Sequence, residues 1–126
     1  MAPIVTIDEG WLLDVAQQHV PGDPDVTDYG ALAAAVGRHR FAVLGTLVYP
    51  EVQDRAAALL HSLARVPALE HSNELYAAMV AYAYLAASGR SAKVGTDDVV
   101  ELVAAVVDGR MTVREVAAAV KTWTEH

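Results

Sequence analysis

The stretch that decides the fold is Pro67–Gly89, PALEHSNELYAAMVAYAYLAASG, a short polar turn followed by a long apolar segment. From Asn73 to Ala87 apolar residues fall on every side of a helix, a pattern typical of a central element that neighbours pack against. Gly89 supplies a C-terminal stop. We therefore expect an all-α bundle built around this segment.

Helix start signals recur on both sides of the central segment. The spacing of Thr6 and Glu9 predicts a capping box for a first helix, and that of Thr112 and Glu115 predicts one for the last helix. Thr27 or Asp28 is predicted to cap the second helix, and Thr96, followed by two aspartates, is predicted to start another. Besides Asn73 to Ala87, the predicted helices run over residues 8–19, from the cap at Thr27 or Asp28 through 31–37, over 50–65 with Pro50 at the first helical position, over 96–108 and from 112 onward.

One region, Phe41 to Pro50, is rich in β-branched and aromatic residues with Gly45 in its middle. Such a pattern favours extended chain or a short β-hairpin, which would lie before the third main helix. The 126 residues contain no linker or low-complexity segment, so we expect one domain over residues 1–126.

Composition narrows the classes of partner. The formal net charge is −7 at pH 7 and no cluster of Lys and Arg offsets it, which disfavours nucleic acid. No apolar run approaches the roughly 20 residues that cross a bilayer, so no membrane association is expected. The absence of cysteine and of a secretory signal makes a cytoplasmic location the default expectation.

From Asp28 onward the chain resembles the Fic/Doc family, especially its short bacterial toxin branch. The resemblance covers roughly 100 residues and rests on framework sequences in the expected order and spacing. It implies the compact α-helical Fic/Doc bundle, in which the hairpin is the flap that docks a target main chain. The sequences that carry it are Tyr29-Gly-Ala-Leu, Tyr49-Pro50, RAAALLHSLAR, HSNELYAAMVAYAYLAASG and DDVVELVAAVVDGRMTVREVAAAV.

The active-site motif of the family departs from its pattern here. The pattern is His, any residue, Phe, any residue, Asp or Glu, a small residue, Asn, Lys or Gly, and Arg. This chain has at those places, in order, Pro67, Ala68, Leu69, Glu70, His71, Ser72, Asn73, Glu74 and Leu75. Asn73 alone keeps the family identity, while Ser72 keeps small size and Leu69 keeps apolar character.

These departures remove the chemistry that the resemblance implies. Pro67 has no lone pair with which to replace the family's general base, and His71 is a poor ligand for a magnesium ion that prefers oxygen. Glu74 and Leu75 stand where Lys and Arg would bind nucleotide phosphates. Phosphoryl or nucleotidyl transfer is therefore not expected, and we predict neither a metal nor a cofactor.

Carboxylates at a helix start raise the question of what they do there. The N-terminus of a helix exposes unpaired N–H groups and a partial positive charge, which Glu74 and Glu70 can neutralise from within the chain. The catalytic candidates, if chemistry persists, are His71, Glu70 and Glu74. The ligand-binding candidates are Asn73, Ser72 and Tyr76.

Each candidate also has a purely structural interpretation. His71 fits a helix-capping or solvated turn histidine, and His61 lacks a paired carboxylate or second ligand. Tyr76, Tyr82 and Tyr84 fit core residues with satisfied hydroxyls, while Asn73 is as good a helix cap as a ligand group. Phe41 to Val48 is an interaction edge or homodimer seam if exposed, and a core element if buried.

Two functions of different classes follow. The first is a catalytically degenerate Fic/Doc-like protein that acts by protein binding, in a toxin-antitoxin-like or regulatory module. The second is an enzyme on a small-molecule substrate, rebuilt with Glu and His acid–base groups at the pocket where the central helix begins. A pocket with convergent Glu and His above Asn73 favours chemistry, whereas a filled pocket favours a binding protein.

Overall fold

A computed structural model describes residues 4–125, which form six α-helices and one two-stranded antiparallel hairpin. The hairpin precedes the third helix, so the prediction of an all-α bundle with a short hairpin is confirmed. Within the described residues, no helix combines the length and the apolarity needed to span a bilayer. The elements are α1 (Glu9–His19), α2 (Tyr29–His39), β1 (Ala42–Val43), β2 (Thr46–Leu47), α3 (Val52–Arg65), α4 (Asn73–Ala87), α5 (Thr96–Val107) and α6 (Val113–Thr124).

The central helix is α4, as its apolar sequence predicts. It packs against α3, α1 and α5, while α3 also packs against α2 and α6. Most residues that α3 and α4 bury are alanine, valine or leucine, so much of their packing consists of dispersion contacts between small side chains. The buried residues of α4 are Tyr76, Ala77, Ala78, Val80, Ala81, Tyr84 and Leu85.

The helix ends follow local hydrogen-bond chemistry. The predicted capping box at Thr6 is wrong: α1 begins one residue after Asp8, whose Oδ1 accepts from the Trp11 N–H at 2.9 Å. Asp28 caps α2 in the same way, so the cap predicted at Thr27 or Asp28 is confirmed at Asp28. The prediction that Pro50 is the first residue of α3 is wrong, because Glu51 is the cap and the helix begins at Val52. The predicted capping box of Thr112 and Glu115 is confirmed at α6.

A buried arginine ties four parts of the chain together. Arg55 on α3 is 3% exposed, and its Nη1 donates to the carbonyls of Pro50 at 2.6 Å and Tyr49 at 3.2 Å. Its Nε donates to the Tyr84 hydroxyl at 2.7 Å, and that hydroxyl donates to the Val5 carbonyl. The charge is thus stabilised by oxygen dipoles, which fix the hairpin exit and the N-terminal segment onto α3 and α4.

His39, at the end of α2, is fully buried beside this network. Its Nε2 accepts from the Ile7 N–H at 3.2 Å, so Nδ1 carries the proton and donates to the Arg55 carbonyl at 3.2 Å. The ring meets Tyr84 edge to face. Burial lowers the pKa of His39 to about 4, and the positive charges of Arg55 and Arg40 act in the same direction.

We expect the free energy of unfolding to fall as the pH drops from about 6.5 towards 4. In that window the unfolded chain takes up a proton at residue 39 that the folded chain excludes, at a total cost of about 3 kcal/mol. Urea unfolding of wild type and His39→Gln between pH 7 and pH 4 measures this. The variant should show the shallower pH dependence, and parallel curves would contradict the role of His39.

Candidate functional site

The motif loop, residues 66–72 between α3 and α4, is held against the chain that enters α2. The carbonyl of Ala68 accepts the N–H groups of Thr27 at 2.8 Å and Asp28 at 3.2 Å, and the Glu70 N–H donates to the Asp25 carbonyl at 3.0 Å. Val26 and Leu69 form an isolated antiparallel bridge. Backbone groups on one side of the loop are therefore bonded within the chain.

Asn73, the first residue of α4, holds the loop from the other side. Its Oδ1 accepts the N–H groups of Ala68 at 3.0 Å and Leu69 at 2.9 Å, and its Nδ2 donates to the Leu69 carbonyl at 2.9 Å. Ala68 and Leu69 are buried, so these bonds satisfy groups that water does not reach. The oxygen and one N–H of the amide are thus committed to the loop.

The remaining polar residues of the loop point in different directions. Glu70 is exposed, and its Oε1 accepts the Asp25 N–H at 3.1 Å, so this carboxylate serves the facing loop and not the N-terminus of α4. His71 lies against Gly22, and its Nδ1 is 2.8 Å from the Ser72 Oγ. Ser72 has left-handed backbone angles, φ 65°, and its side chain makes no capping bond to α4.

Glu74 and Leu75 are exposed in the first turn of α4. Glu74 lies at the positive end of the helix, where a carboxylate is stabilising, and its side chain lines a groove between α4 and α5. The residues lining that groove include neither Glu70, His71 nor Asn73. The two glutamates and the histidine of the motif do not converge on one cavity there.

The other sequence candidates have structural roles. Tyr76, named above as a ligand-binding candidate, is fully buried and donates to the Leu12 carbonyl at 2.7 Å, which links α4 to α1. His61 Nδ1 lies 3.0 Å from Arg38 Nη1, which must donate, so Nε2–H donates to the Met111 carbonyl. Burial lowers the pKa of His61, which favours this neutral form.

No metal centre is visible in residues 4–125, where no three His, Asp or Glu side chains come close enough to share an ion. A nucleotide would also need cations at its phosphates, but the two positions at the start of α4 hold a carboxylate and an alkyl chain. The hydrogen bonds of Asn73 and of the Ala68 carbonyl serve to hold the motif loop against α4 and the chain that enters α2.

A surface that the sequence analysis did not identify lies along α4. Four apolar residues at helical spacing, Leu75, Met79, Tyr82 and Ala86, form a stripe that is not fully buried. On one side the stripe and α5 line an open cavity of about 550 Å³, and on the other the stripe and α1 line a shallower open cavity of about 630 Å³. We call this surface, with the walls that α1 and α5 contribute, the α4 groove.

The hairpin is a second exposed apolar surface. Leu44 and Gly45 both have positive φ, as a two-residue type I′ turn requires, and this places the Leu44 side chain fully in solvent. Phe41, Val43 and Val48 are also exposed. Of the two placements open for Phe41 to Val48, the structure shows the exposed one.

Comparison with known proteins gives one partial similarity. No family model matches the chain. A stretch of 68 residues, 54% of this chain, is 46% identical to a protein named Toxin Doc from Mycolicibacterium smegmatis. The chain spans about half the length of this curated relative, 52%. The similarity supports the Doc-like resemblance drawn from the sequence.

Replacement of Asn73 by alanine is expected to lower the free energy of unfolding by about 2 kcal/mol, because two buried N–H groups lose their acceptor. Asn73→Asp keeps the acceptor oxygen and should cost less. Gln17→Ala, on the exposed face of α1, is the matched control and should change stability by less than about 0.5 kcal/mol. Equal effects of Asn73→Ala and Gln17→Ala in urea unfolding would contradict the role of Asn73 in holding the motif loop.

Proposed function

We propose that this chain is a catalytically inactive Doc-like protein that acts by binding another protein. The observation that carries the proposal is the α4 groove, an open apolar surface on a helix whose sequence calls for neighbours on every side. Contiguous exposed apolar surface of this kind marks interaction sites on soluble domains. The relative's name, Toxin Doc, is compatible with a toxin-antitoxin-like module in which such a partner is a second small protein.

The loss of catalysis is supported by the residues at the motif. Pro67 is exposed and cannot accept a proton, and Glu74 and Leu75 present no cation to a phosphate. Repulsion between Glu74 and a triphosphate several ångströms away adds a cost of about 1 kcal/mol or more near the surface. The chain can thus keep a Doc-like framework without the nucleotide chemistry of its motif.

The alternative, a small-molecule enzyme with Glu and His acid–base groups, is less well supported. Glu70 is bonded to Asp25, His71 lies against Gly22, and Glu74 faces the α4 groove. General acid–base catalysis needs such groups within hydrogen-bond reach of one substrate. The side chains are instead distributed over three surroundings.

Two surfaces are candidates for the partner, and the α4 groove is favoured over the hairpin. The groove is concave and has helical walls on both sides, so an incoming helix buries apolar area on three sides. The hairpin has only an apolar tip and two strands of two residues each, so it presents a smaller surface. It is the second candidate site, for a target strand or a second copy of the chain.

Calorimetric titration with ATP and magnesium is expected to show no binding to the wild-type protein. The double variant Glu74→Lys/Leu75→Arg places two cations at the start of α4 and should bind ATP more tightly than wild type. Its folding can be checked by circular dichroism, because both positions are exposed. Micromolar binding of ATP by wild type would contradict the proposed loss of nucleotide chemistry.

Selection of helical peptides from a displayed library should yield binders of the α4 groove. Met79→Glu places a carboxylate between its two cavities and should weaken those binders by about thirtyfold, the equivalent of burying a polar group without a partner. Leu44→Glu, at the hairpin tip, is the matched control and should leave binding unchanged. Loss of binding on Leu44→Glu alone would assign the interface to the hairpin instead.

A further inference from the structure

We propose that the partner of the α4 groove is an amphipathic helix that presents a lysine or arginine to Glu74. This inference rests on the function proposed above and specifies the chemistry of the partner. It follows from the shape of the groove, from the charges around it and from the position of Glu74 on its rim.

The shape of the groove fits a helix of about three turns. The stripe residues Leu75, Met79, Tyr82 and Ala86 follow spacings of four, three and four, which keeps them on one face of α4. With a rise of about 1.5 Å per residue the stripe is about 16 Å long. The walls are themselves helices, with Trp11 and Val15 on α1 and Val99 and Val103 on α5.

The apolar floor of the groove explains why the occupant has an apolar face. Leu75 is 42% exposed and Val100, on the α5 wall, is 61% exposed. Tyr82 stacks on Trp123, which fixes its ring in the floor between the two cavities. Leucine-sized side chains at the matching spacing of the partner would fill both cavities and remove this surface from water.

The end of the groove near Glu74 is acidic, whereas at the other end Arg90 shares a depression with Tyr82 and Ala86, and His19 lines the α1 side. The residues that line its two cavities include two carboxylates, Glu74 and Asp14, and no Lys or Arg. Asp97 and Glu101 stand exposed on α5, the helix that forms one wall. The ion pair found within residues 4–125 joins Arg110 to Asp108, so none of these four carboxylates is paired with a cation there. A partner with basic residues flanking its apolar face is complementary to this acidic end.

Glu74 is the carboxylate best placed to select the partner. It lies one residue before the stripe begins and lines the same cavity as Leu75 and Met79, so a cation that reaches it also places the apolar face of its helix on the stripe. A second copy of this chain is a poorer occupant, because two faces rich in carboxylates would meet in a protein of formal net charge −7.

The experiment uses two synthetic stapled helices of 14 residues that share leucines at the stripe spacing and carry either lysines or glutamates beside them. Fluorescence anisotropy with the full chain, at low salt, measures their affinities. The lysine peptide should bind wild type about tenfold more tightly than the glutamate peptide. Glu74→Gln should weaken the lysine peptide by about threefold to fivefold, and Glu74→Lys should reverse the preference.

Glu125→Lys makes the same change of net charge outside the lining of both cavities and should keep the preference for the lysine peptide. If both peptides bind equally well to wild type and to Glu74→Lys, the groove binds helices but the charge inference is wrong. If neither peptide binds, or if Met79→Glu does not weaken them, the proposed function itself fails. If sedimentation shows that the wild-type protein is a dimer and that Met79→Glu is a monomer, the occupant of the groove is a second copy of the chain and not a basic helix.

Discussion

The rest of the structure depends on the need to surround α4. Its sequence leaves no polar face for water, so α1, α3 and α5 pack against it and cover all but the stripe that forms the floor of the α4 groove. Its two fully buried tyrosines, Tyr76 and Tyr84, donate to carbonyls of Leu12 and Val5. The same helix therefore organises the core and also fixes α1 and the segment that precedes it.

The motif loop is fixed both to α4 and to the chain that enters α2. Asn73 holds Ala68 and Leu69 through both ends of its amide, and the carbonyl of Ala68 also accepts bonds from the chain that enters α2. These bonds need neither a proton acceptor at Pro67 nor a cation in the first turn of α4. A structural requirement thus acts on Asn73 separately from any requirement for ligand binding.

The sequence predicted the helices because each carries a local signal: apolar periodicity, a cap, or a glycine stop. It misplaced the cap of α1, since Thr6 and Asp8 both fit a capping pattern and tertiary bonds of the N-terminal segment decide between them. It also missed the α4 groove, because a helix that is apolar all round does not show which side lacks a neighbour. The buried pair His39 and Arg55 carries no distinctive local pattern either, as its partners lie far along the chain.

The hairpin tip has a consequence for handling the protein. Leu44 is in full contact with water at a two-residue turn and contributes nothing to the core. Its replacement by a polar residue should therefore leave the free energy of unfolding unchanged. At high protein concentration Leu44, together with the exposed Phe41 and Val43, forms an apolar surface through which molecules can associate. Solubility and crystal order should therefore respond to this small loop more strongly than thermal stability does.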